Sequence, residues 1–338
     1  MEIIGLENSY RWNEIVRSMK RYDFYHLAEY SALDSSGKPL LLYHTSGNRA
    51  FALPVILRKI ADTEFNDITS VYGYAGPLSN MENPDCESVK SFHQELRTIF
   101  NSQAVVSVFA RLHSIFKENE KLISGLGSIR EENLTVGIDL KQPENEQLKQ
   151  YSYWLRRDIK RLKKNNFQVR EIANENEISE FVKIYYENMQ RLNASEYYFF
   201  SESYFKQFMK TIPSFLLIAT IDNEIVSGSL CSECNGIIQV HLSATKTSFL
   251  RYSPQKYVWD KVREYGMTTS ARYIHFGGGY AGKNDTLFQF KSKFSHQRFM
   301  FKTWRYIHLP KIYDKLVAEN TNLNTQSSSF FPLYRAEQ

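Results

Sequence analysis

The stretch from Tyr273 to Phe294, YIHFGGGYAGKNDTLFQFKSKF, constrains this chain more than any other. Tyr273, Ile274, His275 and Phe276 combine β-branched and aromatic side chains that favour a strand. Gly277, Gly278 and Gly279 follow at once, so the backbone can turn with positive φ or approach a neighbour with no Cβ in the way. Asn284 or Asp285 can cap a helix beyond the turn, on which Leu287, Phe288 and Lys291 share a face. Lys293 lies only two positions on and cannot share that face. A glycine turn feeding a helix start is a place where an anionic or polar ligand meets backbone N–H groups.

The residues before this stretch fix its neighbourhood. Three apolar runs, Phe215–Ile221, Ile225–Cys231 and Ile237–Leu242, read as a strand meander. Its turns are Asp222-Asn223-Glu224 and Asn235-Gly236, the latter a strong hairpin signal. Ser253-Pro254 opens a helix running to about Gly266, with proline in the first turn and glycine at the end. Upstream, residues 153–165 predict a helix, Phe167–Ile172 a strand, Ile178–Leu192 an amphipathic helix, and Ser201 caps a shorter one. The order is β-α-α-β-β-β-α-β-α.

The first half reads as a looser version of the same order. Residues 10–33 look helical, Leu40–His44 and Phe51–Leu57 form a hairpin, and residues 69–78 form a loop. Ser88–Phe100 is a helix; Ala104–Phe109 and Thr135–Leu140 are strands. Residues 141–152 read as a linker. After about Lys311 the chain turns polar, and 320–329 lack a core-forming pattern. At 338 residues, two domains are expected. These are 1–145 and 146–312, followed by a tail at 313–338, and the likeness of the halves suggests an internal duplication.

A net charge of +5 is too small for a dedicated nucleic-acid protein but accommodates phosphate-bearing ligands. Three cysteines are too few for a disulfide scaffold and fit a reducing compartment. Cys231-x-x-Cys234 sits at a hairpin end, where no helix start favours a thiolate and no second pair completes a zinc site. The N-terminus has no signal-peptide pattern and no apolar run reaches membrane-spanning length. The expectation is a soluble cytoplasmic protein with no metal and no tightly bound cofactor.

Four stretches stand in order: Tyr72-Gly-Tyr-Ala-Gly-Pro-Leu78, Leu155-Arg-Arg-Asp-Ile-Lys-Arg161, Arg251-Tyr-Ser-Pro254 with Tyr257 and Trp259, and Phe276-Gly-Gly-Gly279 with Leu287-Phe-Gln-Phe-Lys291 and Phe294. Together they resemble the GNAT acyltransferase fold, and within it the Fem-like branch of peptidoglycan-bridge aminoacyltransferases and related cell-envelope N-acyltransferases. The resemblance implies an α/β fold of two tandem GNAT-like domains, each a mixed central sheet flanked by helices, the first degenerate. It implies an acceptor groove near their junction and transfer of an acyl or aminoacyl group to an amine. Acyl-CoA members of the wider fold carry Arg/Gln-x-x-Gly-x-Gly/Ala before the central helix; here Thr247–Pro254 has no glycine. No heptad-patterned arm is inserted either.

On this basis Lys291 is the leading catalytic candidate. Its ammonium can offset negative charge that develops as the acyl group transfers. Tyr72, Tyr74, Gly277, Gly278, Gly279 and Lys293 are candidate substrate contacts. Arg251, Ser243 and Tyr257 are candidate donor contacts, with Arg251 meeting a donor phosphate where Leu242–Thr245 and Ile274–Gly277 splay apart. His241, His275, Asp285 and Glu233 are the available proton acceptors, and a lone strand histidine is more often structural. Arg156, Arg157, Lys160, Arg161, Lys163 and Lys164 form a basic patch that could attract transfer RNA, a pyrophosphate-linked precursor or an anionic membrane surface. Such charge runs are usually a solvated helix face. The expected activity is N-acyl transfer, such as N-acetyl transfer, from acyl-CoA to an amine of a cell-envelope, sugar or peptide precursor. The alternatives are an aminoacyl-transfer-RNA donor, or non-catalytic glycan or peptide binding.

Overall fold

The computed structural model describes residues 1–279, 285–320 and 330–336. Asn284 and most of the expected low-complexity tail fall outside them. The chain forms two compact units, one of residues 1–132 with 300–338 and one of residues 133–299. The boundaries therefore lie within strands Ser128–Asp139 and Arg298–Ile307, rather than at 145 and 312.

In the first unit, Glu2–Gly5, Lys38–Ser46, Arg49–Lys59 and Asn66–Thr69 form an antiparallel run. The helix Cys86–Ser102 then leads to Val105–Arg111, which lies parallel to Asn66–Thr69. The returning strand closes the sheet antiparallel, with Thr303 opposite Arg111 and Ile307 opposite Ser107. Trp304, fully buried, places its indole in the core with Phe92, Leu96 and Phe100. Its Nε1–H bonds Leu126 O. The region expected to be a tail from residue 313 begins instead with a helix, Pro310–Glu319, whose Tyr313 is buried against Ile60 and Val106. The polar composition concealed one apolar face.

The second unit repeats this plan. Gln168–Glu171, Ser214–Ile221, Glu224–Cys234 and Ile237–Thr245 form an antiparallel meander. The helix Gln255–Met267 crosses to Tyr273–Gly277, parallel to Ile237–Thr245, and Asn133–Asp139 pairs antiparallel beyond it. The same strand order in both units accounts for the suspected duplication. The closing strand follows its unit in one case and precedes it in the other.

Local chemistry explains the elements. Asn235 and Gly236 adopt φ of 44° and 80°, the positive values that a tight hairpin turn needs. Ser152, Ser201 and Asp285 each accept a backbone N–H at a helix start. The expected helix over 10–33 is confined to Ser9–Ser18 and short turns at Phe24–His26 and Ala28–Ser31. The supposed linker holds a short helix, Glu144–Lys149. Among the described residues no helix is long and apolar enough to cross a membrane.

Candidate active site

In the second unit two neighbouring strands part. Parallel pairing between Ile237–Thr245 and Tyr273–Gly277 is confined to Ile237 with Tyr273, Ile238 with Ile274 and Gln239 with His275. Past Gln239 the first strand stays with Glu224–Cys234 as far as Thr245 opposite Ser227. The second shifts register between His275 and Gly277 and follows Asn133–Asp139, setting Gly277 opposite Val136. Backbone groups on the two diverging edges thereby lose their sheet partners, which makes the opening suited to a polar ligand.

Aromatic rings floor this opening. Trp259 stacks on Phe276 at 4.6 Å, with Phe290 and Phe294 at 5.2 and 5.3 Å. A buried polar layer adjoins them: Ser229 Oγ lies 2.8 Å from Ser243 Oγ and accepts from Trp259 Nε1 at 3.0 Å. The Gln255 amide lies 2.8 Å from Ser227 Oγ and 2.7 Å from Ser229 Oγ. Buried hydroxyls and amides are tolerated because they satisfy one another. Ser243 thus holds its neighbours in place.

At the end of the parting strand lies the glycine turn. Gly277 has φ 73°, the left-handed region that favours glycine. A Cβ on Gly278 would meet Leu134 O at 3.1 Å. Lys291, on the helix Thr286–Ser292 and only 9% exposed, donates from Nζ to Gly278 O at 2.6 Å. Burial lowers its ammonium to about 8, while the charge of Asp285 acts in the opposite direction. Asp285 also caps the helix, accepting Phe288 N–H at 2.9 Å. Lys293, half-buried, ends the helix; its carbonyl accepts Ser152 N–H at 2.9 Å. The structure therefore brings Gly277, Gly278 and Lys291 together. A cation on this turn can stabilise an oxyanion.

The remaining candidates have the following surroundings. Tyr72 and Tyr74 belong to the first unit, where Tyr30 OH donates to Tyr72 O at 2.8 Å and Tyr74 meets Phe301 edge-on at 5.3 Å. Gly73 between them has φ 116°, and a Cβ there would stand 2.0 Å from the Tyr25 ring. Arg251 is exposed, its guanidinium 4.7 Å over the Tyr252 ring. Tyr257 is buried, with Lys163 Nζ 5.0 Å over its ring. Cys231 is buried in apolar surroundings that raise its thiol well above the ordinary range.

The proton-acceptor candidates are held by structure. His275 is buried with Nδ1 2.7 Å from Gln239 Oε1 and Nε2 2.8 Å from Thr135 Oγ1. His241 stacks on Phe208 at 4.9 Å and bonds Tyr204 OH at 2.7 Å; burial lowers it to about 3. Glu233 accepts Tyr265 OH at 2.9 Å. Both line a surface cleft of about 400 Å³ at the opposite end of the strands.

Sequence reasoning missed Glu187. Its Oε1 accepts Thr247 N–H at 2.9 Å, holding a carboxylate on the turn before the Gln255–Met267 helix. Hydrogen bonding to the Thr247 side chain first, and then to its backbone N–H, lowers the Glu187 pKa. Other amides of this turn bond internally: Phe249 N to Lys246 O at 2.9 Å, and Ser253 N to Leu250 O at 3.0 Å. A position sixty residues away in sequence gives no local signal of this contact.

The parted parallel strands and the glycine turn, with the lysine beyond it, sit on a fold like that of GNAT proteins. Residues 87–238 match the FemAB family. No curated protein matches the chain by sequence. The crystal structure of FemX superposes with a TM-score of 0.69 at 11% identity, covering 93% of this chain and 99% of that one. The C-terminal domain of a putative lysylphosphatidylglycerol synthetase from Agrobacterium fabrum gives 0.57 at 13%, covering 92% and 96%. A tandem GNAT protein from the clavulanic acid biosynthesis pathway gives 0.50 at 10%, covering 90% and 98%. At these identities the superpositions speak for the fold.

Proposed function

We propose that this chain is a Fem-type N-acyltransferase that takes an aminoacyl group from a transfer-RNA ester and delivers it to an amine of a cell-envelope precursor. The carrying observation is the turn at Thr247–Tyr252. Where acyl-CoA members of the fold carry a glycine-rich phosphate cradle, this turn has no glycine and Glu187 holds the Thr247 N–H. A pyrophosphate there would meet a carboxylate, and like charges repel. This favours a donor without a pyrophosphate over acyl-CoA. The FemAB match supports the same choice.

In this reading the ester carbonyl reaches the opening between the parted strands. The acceptor amine, in its neutral form, attacks the carbonyl carbon. Charge builds on the carbonyl oxygen, and the Lys291 ammonium is the cation placed to stabilise it. Collapse breaks the ester C–O bond, forms the amide and releases the ribose hydroxyl, which gains a proton. The amine loses its proton to solvent, since His241 and His275 are committed to their partners.

The test supplies the purified protein with radiolabelled aminoacyl-transfer RNA, or with acyl-CoAs, and a panel of amine-bearing peptide and amino-sugar precursors. Label passing from transfer RNA into amide product, with steep loss on adding salt, is expected. Transfer from acyl-CoA with none from transfer RNA would overturn the donor assignment.

A further inference from the structure

The helix Tyr153–Lys164 has a face that the reaction above leaves unused. Leu155, Ile159 and Leu162 are buried and fix it to the core of the second unit. At 100° per residue, Tyr153, Arg157, Lys160 and Lys164 cluster on the opposite side, flanked by Trp154, Arg156 and Arg161. Tyr153 is 65% and Trp154 59% exposed, large values for such rings. The helix's carboxylate, Asp158, turns away to Lys256 and Arg161. Lys163 is drawn towards Asp260 and Glu264 at 3.8 and 3.9 Å. Among the described residues Arg156, Arg157, Lys160 and Lys164 form no ion pair with a carboxylate. The face is aromatic and cationic throughout, along about 18 Å of helix.

We infer that this face docks the protein on an anionic lipid bilayer. Indole and phenol rings settle at the headgroup level, with polar edges in water and ring bodies among the chains. Each adjacent lysine or arginine adds attraction to negative lipid. The ring geometry separates this partner from a nucleic acid. Arg157 covers Trp154 at 4.6 Å, and Tyr153 meets Trp154 edge-on at 78°. That arrangement leaves a poor platform for a stacked base, and single-strand binders use a charged groove where this is a convex helix. The helix starts where Ser152 N–H bonds Lys293 O, so docking also sets the lysine helix beside the lipid surface. The inference is independent of the donor.

The chain carries its own reporter. Of its four tryptophans, Trp12, Trp259 and Trp304 are buried, and Trp154 alone is exposed. The full-length protein is mixed at low salt with vesicles of phosphatidylcholine, with or without phosphatidylglycerol, and followed by sedimentation and tryptophan emission. Binding to the anionic vesicles, with a blue shift absent in Trp154→Phe, is expected. Removing one cation in Arg157→Gln or Lys160→Gln should weaken binding about fivefold. Equal binding to both vesicles, binding unchanged when Arg157→Gln and Lys160→Gln are combined, or binding to RNA but not vesicles would each overturn the inference.

Discussion

Replacing Lys291 with methionine isolates a buried charge. The substitution keeps the length and apolar stem of the side chain and removes the ammonium that Gly278 O accepts. Burial depresses Lys291 from 10.5 to about 8. That difference corresponds to about 3 kcal/mol of folding free energy. The sign follows from proton counting. Between pH 8 and 10.5 the unfolded chain binds a proton that the folded chain has released, so stability from this group rises with pH across that window. Below pH 8 both states are protonated and the burial cost is complete. Urea unfolding of the wild type and Lys291→Met at a series of pH values should show their stability difference change by about 3 kcal/mol between pH 7 and 11. The variant gains relative stability at the lower pH. A difference independent of pH would refute the buried-ammonium argument. The same variant should lower kcat about 10²- to 10³-fold, the usual cost of losing one oxyanion-stabilising group. An unchanged kcat would refute its catalytic assignment.

Gly277→Ala, forced to φ 73°, should cost about 1–2 kcal/mol in chemical denaturation, more if the glycine turn cannot relax. His241→Phe should make the protein less sensitive to acid. The wild-type ring, lowered to about 3, stays neutral in the folded state while the unfolded chain gains a proton below 6.5, so stability is lost as pH falls through that window. Unfolding midpoints between pH 7 and 4 should therefore fall less steeply in the variant, and parallel curves would count against a ring held neutral in the folded state.

The sequence made the second unit legible because its signals are local. The Asn235-Gly236 turn, the Pro254 helix start and the run from Tyr273 to Phe276 each specify their own backbone. The lysine site was legible for the same reason, since Asp285 caps the helix and Lys291 lies one and a half turns on. What escaped depends on distant partners. Arg298–Ile307 becomes a strand of the first unit by pairing with Val105–Arg111, nearly two hundred residues away, and nothing in its composition names that partner. Glu187 escaped likewise, because its role depends on one amide sixty positions later. The surroundings of Tyr257 were equally hidden: its ring is buried in the core of the second unit with Lys163 and Lys261 over it.

The late return of residues 300–307 sets an order of assembly. A ribosome making this chain completes the second unit once residue 299 has emerged, but the first unit then still lacks its closing strand and Trp304. The segment made first must wait with its sheet edge open while the inserted unit, continuous in sequence, can already fold. Domains are usually finished in the order in which they are synthesised. Here the unit that carries the lysine can be finished before the one that precedes it.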